Sequence, residues 1–286
     1  MTQEEREAIV FKIRKFGLLQ FRGYDSNDYL INSLEENKII FGSRKNFNDP
    51  FDCNLPINVQ CSIIDVENLL LDISFKKNLF DLGYIRKRAD EIFSDTYKLR
   101  AQLEILIYNY RRFSCFTIAS PNKHLANSKF WANYANKHKG ICMKFNGDIL
   151  IDYSPNEREN FSYIPVEYCT NDAIPKHNYI KDKSFRGNTS AQYFLGTKSM
   201  EWKDEEEIRL VYFPRIEIND DFVYREFNPK YLEQIYLGCN LEKADIETIT
   251  YCLNNPKYKH VDVFQLERDE RRFKLNDKLV RQGKKS

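Results

Sequence analysis

The stretch WKDEEEIRLVYF, residues 202–213, places three consecutive glutamates directly before a run in which charged and apolar residues alternate. A period of two is typical of a β-strand, because successive side chains point to opposite faces of a sheet. A strand over 207–213 puts Glu207, Arg209 and Val211 on one face and the intervening apolar residues on the other. Carboxylates next to a buried strand are costly unless they are solvated, paired with a base or used in chemistry. The stretch therefore predicts either a solvated acidic turn or a functional site at the start of a strand.

Segments with the same strand character recur along the chain, with helical periodicity in half of the intervals between them. The predicted strands are 16–24, 38–43, 113–119, 141–146, 161–168, 207–213, 221–227, 234–238 and 261–267. The predicted helices are 2–15, 27–36 with Ser26 as its N-cap, 125–138 with Gly140 as its stop, and 241–255. Strands outnumber the connecting helices in the second half, which indicates an α+β fold with a mixed, mainly antiparallel sheet and flanking helices.

The region 62–112 differs from the rest, since it is amphipathic and almost free of glycine and proline. It predicts two or three helices that form an insertion. The chain has 286 residues, enough for one large core. We expect a single α+β domain over 1–286 that contains this helical insertion.

Composition narrows the function classes. Lysine and arginine total 44 against 42 aspartates and glutamates, so global charge does not favour a nucleic-acid or membrane partner. The N-terminus lacks the order of a signal peptide, and no apolar run reaches membrane-spanning length. The seven cysteines include no C-x-x-C pair, which fits reduced thiols. We expect a cytoplasmic protein.

The loop NFNDPFD, residues 46–52, is one candidate for a site. It predicts either a tight turn stabilised by Asx side chains or a rigid loop that presents polar groups. In the second case Phe47 and Phe51 anchor the loop on the core, and its carboxylates are held fixed. Asn48 and Asp49 are then candidate binding residues, with Asp52 beside them.

The segment FWANYANKHKGICMKF, residues 130–145, is another. On a helix Trp131, Tyr134 and His138 share one face. That face predicts either a core-facing aromatic stripe or a pocket wall. In the pocket, Trp131 and Tyr134 stack on a flat ligand and His138 offers a hydrogen bond.

The glutamate run supplies the catalytic candidates. Glu205 and Glu207 are two residues apart, and Arg209 follows on the same face, able to lower their pKa values or to hold one carboxylate through two contacts. Metal binding through histidine has little support, because the four histidines lack ligand spacing. The G-x-S-x-G, P-loop and G-x-G-x-x-G motifs are absent from the sequence.

Three blocks, LEENKIIFGSRKNFNDPFD, FWANYANKHKGICMKF and WKDEEEIRLV, together resemble a bacterial domain-of-unknown-function family. The family pattern combines an Asn-Asp-Pro-Phe-Asp loop, a Trp-x-x-Tyr-Ala-x-x-His-x-Gly helix end and Trp-x-x-Glu-x-Glu-x-Arg. The chain departs from it in Phe130, where methionine or leucine is more usual. This resemblance brings no established activity, but it implies a toxin or phage-defence effector with an antitoxin or regulatory partner.

The chain is also similar, in order and residue type, to ADP-ribosyltransferases. Those enzymes bind NAD in a split antiparallel sheet, with a basic residue on an early strand, an aromatic helix and a later Glu-x-Glu. The resemblance implies NAD as substrate, Arg22 or Tyr24 on the early strand, Tyr134 on nicotinamide, Glu207 on the ribose and Glu205 on an acceptor. That acceptor is a protein or a nucleic acid.

Two other function classes stay open. In a metal-dependent nuclease, Asp49, Asp52 and the two glutamates hold magnesium, with Lys198 or Lys203 near the phosphate. In a binding module without turnover, the basic tail over residues 270–286 contacts nucleic acid or protein. Loss of activity with a chelator separates the first from NAD cleavage, and tolerance of Glu207→Gln identifies the second.

Overall fold

A computed structural model of the protein describes residues 2–24, 29–76, 81–120, 123–152, 161–170, 177–182, 188–214 and 218–284. The helices, numbered in chain order, are α1 Gln3–Phe16, α2 Tyr29–Glu35, α3 Ile63–Lys76, α4 Leu82–Ser94, α5 Thr96–Glu104, α6 Ser128–Tyr134, α7 Ile149–Asp152, α8 Asn188–Gly196 and α9 Lys243–Leu253. The strands are β1 Leu18–Arg22, β2 Lys38–Gly42, β3 Arg112–Ile118, β4 Ile141–Phe145, β5 Phe161–Pro165, β6 Glu167–Cys169, β7 Thr197–Ser199, β8 Glu207–Tyr212, β9 Phe222–Glu226, β10 Leu232–Leu237, β11 Asp262–Arg268 and β12 Leu275–Arg281.

Ten of these strands form one sheet, in the order β12-β11-β10-β4-β1-β3-β2-β9, with β8 also paired to β3 and β5 to β8. The β10–β11 pair is parallel, and the other pairs described in this sheet are antiparallel. The predicted α+β class with a mixed, mainly antiparallel sheet is therefore confirmed. A separate parallel pair, β6–β7, lies beside β8.

The sheet is split next to β3. At one end β3 pairs with β1 through Leu18–Ile118 and Leu19–Thr117, and at its other end it pairs with β2 through Gly42–Phe113. Within the described residues β1 and β2 form no ladder with each other. The two strands therefore diverge and leave a wedge above the middle of β3.

Alternation along β8 distributes its side chains as predicted. Ile208, Leu210 and Tyr212 belong to the largest hydrophobic cluster, together with Leu18 and Phe116. Val211 belongs to a second cluster on the other face. Every residue of β8 is buried, because the sheet is covered on both faces.

The helical region predicted at 62–112 contains α3, α4 and α5, followed by a π-helical turn over Ile105–Asn109. α3 and α4 pack on each other around Val66 and Ala89. Ser26 and Asn27, the predicted start of α2, lie outside the described residues. Among the residues that the structure describes, no helix combines the length and the apolar character needed to cross a lipid bilayer.

The sequence interpretation missed elements before the glutamate stretch and at the C-terminus. α8 and the short β7 precede residue 200, and the basic tail contains an edge strand, β12, paired antiparallel with β11. Most side chains of β12 are exposed, and few are buried. The reason is that β12 lies at the edge of the sheet. That pattern resembles a solvated segment, which explains the error.

Candidate active site

A cavity of about 330 Å³ occupies the wedge between β1, β2 and β3. Its walls are rich in aromatic rings, with Phe21 from β1, Phe113 from β3, Phe222 from β9 and Phe47 from the loop after β2. Its floor is polar and is built from Asp52, Lys198, Glu205, Glu207 and Cys115. Apolar walls with a few convergent polar groups are typical of a small-molecule site.

Lys198 lies at the centre of the floor. Its Nζ is 2.5 Å from Glu205 Oε2, 3.2 Å from Glu207 Oε2 and 3.6 Å from Asp52 Oδ2. Its side chain is 4% exposed, and the ammonium also lies 4.8 Å from the ring centroid of Trp202. Burial disfavours the charged form of Lys198, but the three carboxylates outweigh burial and raise its pKa. The lysine therefore stays charged and holds the carboxylates together.

Arg209 lies beneath the floor and is fully buried. It holds Glu207 through two contacts, Nε to Oε1 at 2.8 Å and Nη2 to Oε2 at 3.1 Å. It also contacts both carboxylate oxygens of Asp52, at 2.7 and 2.8 Å, and donates to the Leu195 carbonyl at 2.9 Å. The predicted two-point hold by Arg209 is confirmed for Glu207. Arg209 does not itself line the cavity, so it positions the carboxylates and does not face a ligand.

Local backbone geometry brings Glu205 and Glu207 together. Glu205 ends a 3₁₀-helix that starts at Met200, and Glu206 adopts the left-handed conformation, with φ 44° and ψ 49°. This turn directs Glu206 away from the cavity, where it contacts Lys123 at 3.5 Å and accepts from Ser120 at 3.1 Å. The strand begins at Glu207, as predicted, and Glu205 lies before it in the 3₁₀-helix. The two outer carboxylates of the run nevertheless converge on one lysine.

The environments of the two glutamates shift their pKa values in opposite directions. Burial raises the pKa of Glu205, and the charge of Glu207 adds to the rise, against a lowering by Lys198. Burial alone would also raise the pKa of Glu207, but the charges of Arg209 and Lys198 outweigh it and lower that pKa to about 2. The expectation that Arg209 lowers the pKa is confirmed for Glu207 alone. Glu207 is therefore a fixed anion, whereas Glu205 is able to exchange a proton.

Tyr134, the last residue of α6, reaches the floor from the opposite wall. Its hydroxyl donates to Glu205 Oε1 and is also hydrogen-bonded by the side chain of Asn48. Burial raises the pKa of Tyr134, and the charge of Glu205 raises it further. Tyr134 thus remains a neutral donor to the carboxylate. Asn48 and Tyr134 both line the cavity, as the sequence interpretation requires of binding residues.

Arg22, at the end of β1, lies at the edge of the same cavity. Its Nη2 donates to the Ile40 carbonyl of β2 at 3.1 Å and to Ser114 Oγ at 3.4 Å. Within the part of the chain that the structure describes, no carboxylate pairs with this guanidinium. Burial lowers the pKa of Arg22. A half-buried guanidinium without a carboxylate partner is suited to bind a phosphate.

The structure separates other predicted site residues from the cavity. α6 ends at Tyr134, because Asn136, Lys137 and His138 adopt positive φ angles of 44°, 55° and 69°. His138 therefore does not share a helical face with Tyr134, and its carbonyl accepts from the Asn240 amide. Trp131 is fully buried and donates from Nε1 to the Leu125 carbonyl. The predicted pocket wall is thus wrong for Trp131 and His138.

Two more predicted binding residues, Tyr24 and Asp49, do not line the cavity. Tyr24 packs against the largest hydrophobic cluster and is not among the lining residues of the cavity. Asp49 accepts from the Phe51 amide at 2.9 Å and lies outside the ionic cluster that its neighbour Asp52 joins. Phe47 anchors the loop, with its ring 5.3 Å from that of Phe113, but Phe51 is 65% exposed. The loop is therefore fixed at one of the two predicted anchors.

Sequence reasoning did not find two groups on the floor. Lys198 was a candidate only in the nuclease alternative, as a phosphate contact. Cys115, whose thiol is hydrogen-bonded to Glu207, was not a candidate. A lysine in the middle of GTKSM has no local signal of burial. Alternation in β3 does place Cys115 on the same face as Phe113, which is the one pattern that points to it.

The carboxylates of the cavity floor form ion pairs with Lys198 and Arg209. Among the described residues, no group of three or more histidine, cysteine, aspartate or glutamate side chains is arranged to hold a metal ion. Asp49, one of the four predicted magnesium ligands, is separated from the other three. With all groups ionised, the three carboxylates exceed the charges of Lys198 and Arg209 by one negative charge.

Comparison with known proteins gives one match. No curated protein and no solved structure matches the chain. The matched segment starts in α6 and ends in β8, so it contains Tyr134, Lys198, Glu205, Glu207 and Arg209. It includes the second sequence block and all but the last residue of the third, but not the loop that carries Asp52. Residues 130–210 match the model of a family described as a protein of unknown function, DUF2971.

Proposed function

We propose that this protein is an enzyme that cleaves the bond between ribose C1′ and the base nitrogen of a nucleotide, with NAD as the leading substrate. One observation carries the proposal. Two buried carboxylates at the floor of the first cavity, Glu205 and Glu207, have pKa values shifted apart by their surroundings. Such a pair is typical of sites in which one group exchanges a proton and the other stabilises charge.

In the first step, the bond between C1′ and nitrogen breaks and its electron pair leaves with nicotinamide, which departs neutral. Positive charge develops on the ribose, as in glycoside cleavage. Glu207 is a fixed anion at the cavity floor, and its position is held by Arg209 and Lys198 before any substrate binds. An anion that is already positioned stabilises such a charge without reorganisation. The net charge of −1 on the ionised cluster acts in the same direction.

In the second step, an acceptor oxygen or nitrogen attacks C1′ and its proton passes to Glu205. The carboxylate must be ionised to accept this proton, so activity rises as pH increases through the raised pKa of Glu205. The proton then leaves to solvent. The aromatic walls favour a flat base, and Arg22 is available for a phosphate. The acceptor is a protein or a nucleic acid. The proposal includes a role as a toxin or phage-defence effector.

The test uses the glutamate run as its own control. Purified protein is incubated with NAD labelled in nicotinamide and in adenine, with cell extract as acceptor, and both nicotinamide release and label transfer are measured. We expect Glu205→Gln to lower the rate by about 10²–10⁴-fold. Glu206→Gln is the matched control, because that side chain points to Lys123 and Ser120, and its rate should stay within about two-fold of wild type.

Glu207→Gln should also abolish release, but it removes a partner of buried Arg209 and needs a melting curve beside it. A wild-type protein that neither binds NAD nor releases nicotinamide would refute the proposal. Equal losses in the Glu205 and Glu206 variants would refute the assignment of roles.

A further inference from the structure

A second cavity, of about 480 Å³, lies on the other side of Arg22. Four residues line both cavities: Arg22, Gly23, Ile40 and Phe222. Tyr29 and Tyr224 also line the second cavity. Its volume falls in the range that small-molecule sites occupy. The Arg22 guanidinium therefore stands between two adjoining spaces.

Two buried polar atoms of this cavity have no hydrogen-bond partner among the described residues, Gln20 Oε1 and Ser33 Oγ. Gln20 is 1% exposed, and its amide nitrogen donates to Ser114 Oγ at 2.7 Å, which fixes the side chain. Ser33 is 6% exposed and lies in α2. A buried polar atom without a partner costs about 1–3 kcal/mol, so a pair of them in one cavity indicates groups that a ligand completes.

The three polar features define the ligand chemistry. Arg22 offers N–H donors, so it takes an anionic group such as a phosphate. Gln20 Oε1 accepts, so it requires a donor such as the exocyclic amine of a base, and Ser33 is able to accept or to donate. Aromatic rings on the wall provide a surface for a flat ring.

We propose that the second cavity binds the remote nucleoside of a dinucleotide substrate, with its base amine on Gln20 and Ser33 and the bridging phosphates on Arg22. This inference rests on the proposed function, since it names the class of substrate that the active site takes. A dinucleotide then spans the wedge, with its scissile ribose over Glu207 in the first cavity and its second base in the other.

Direct binding tests the site without catalysis. Calorimetry on the full chain uses AMP as the probe and IMP, which carries a carbonyl oxygen where AMP carries the amine, as its matched control. We expect AMP to bind at least about ten-fold more tightly than IMP, because IMP leaves the Gln20 acceptor unpaired. Ser33→Ala and Gln20→Met should each weaken AMP binding by about ten-fold. No AMP binding at millimolar concentration, or binding that neither variant changes, would overturn the inference.

Stability separates a binding role from a structural one. Ser33→Ala removes a hydroxyl without a partner, so the melting temperature of the free protein should stay the same or rise. A variant that melts earlier and binds AMP as wild type does would assign Ser33 to the fold and overturn its role in binding.

Kinetics distinguishes the failure of this inference from that of the proposed function. Wild type and Ser33→Ala are compared on NAD and on nicotinamide mononucleotide, which lacks the second nucleoside. We expect KM for NAD to rise about ten-fold in the variant and KM for the mononucleotide to stay unchanged. Equal KM changes on both substrates would overturn the inference and leave the proposed function intact. Absence of nicotinamide release from either substrate would refute the proposed function, and AMP binding would then decide the second cavity alone.

Discussion

Replacement of Arg209 by methionine should lower the free energy of unfolding by about 3–5 kcal/mol at pH 7. The side chain is fully buried and neutralises Asp52 and Glu207, which are also buried. Methionine keeps much of the apolar stem but leaves two anions without this partner. The direction agrees with the pKa of Glu207, which Arg209 and Lys198 lower against the opposing effect of burial.

The pH dependence has a definite sign. The pKa of Glu207 is lower in the folded state than in the unfolded state, so its ionised form stabilises the wild type above pH 4.5 and that contribution is lost as pH falls toward 2. In Arg209→Met the Glu207 carboxylate loses a counter-charge, so its folded-state pKa rises and protonation relieves the variant. The stability difference between wild type and variant should therefore shrink as pH falls from 7 to 4.

Urea denaturation followed by circular dichroism at several pH values measures this difference. Arg112→Met is the matched control. Arg112 is 2% exposed, but its guanidinium donates to backbone carbonyls such as those of Ile218 and Asp220. Its deficit should depend little on pH. A deficit for Arg209→Met that stays constant from pH 7 to pH 4, as for Arg112→Met, would refute the ion-pair argument and leave only lost packing.

Two further perturbations test the site and the fold. Tyr134→Phe removes a donor to ionised Glu205, so the pKa of Glu205 should rise. Under the proposed function, the rising limb of the pH profile of kcat/KM should then move to higher pH. A limb that does not move would contradict the contact. Gly140→Ala should destabilise the protein by about 1–3 kcal/mol, because a Cβ there would lie 2.0 Å from the Arg22 carbonyl oxygen. Gly83→Ala, where the nearest atom is a side-chain oxygen 3.3 Å away, should be neutral or stabilising by up to about 1 kcal/mol, and equal melting shifts for the two glycine variants would contradict the steric argument.

Local patterns predicted the elements that cross the core, because alternation and helical spacing record which side chains are buried. β8 is an example, since its two faces were assigned from EIRLVYF alone. The early stop of α6 was missed, although Asn136 carries the signal: asparagine tolerates the left-handed conformation that ends a helix. The His138 amide then bonds back to the Trp131 carbonyl at 3.1 Å and closes the turn.

The site was predictable only where its residues are neighbours in sequence. Glu207 and Arg209 are two residues apart on one strand, so their contact follows from strand geometry. Lys198 and Asp52 contact them because distant segments of the chain pack together. Between Lys198 and Glu207 lie the 3₁₀-helix and the left-handed Glu206. The hydrophobic periodicity of the sequence does not predict such contacts, because they depend on the pairing of whole strands.

The position of β1 has a consequence for synthesis on the ribosome. β1 is completed at Arg22, yet it lies in the middle of the sheet, between β4, which ends at Phe145, and β3. At a typical rate of about 5–20 residues per second, roughly 6–25 s pass between the emergence of this strand and that of β4. Leu18, which is fully buried in the finished fold, lacks its β4 partner Phe145 throughout that interval. The apolar residues of β1 therefore stay uncovered by β4 until synthesis has passed Phe145.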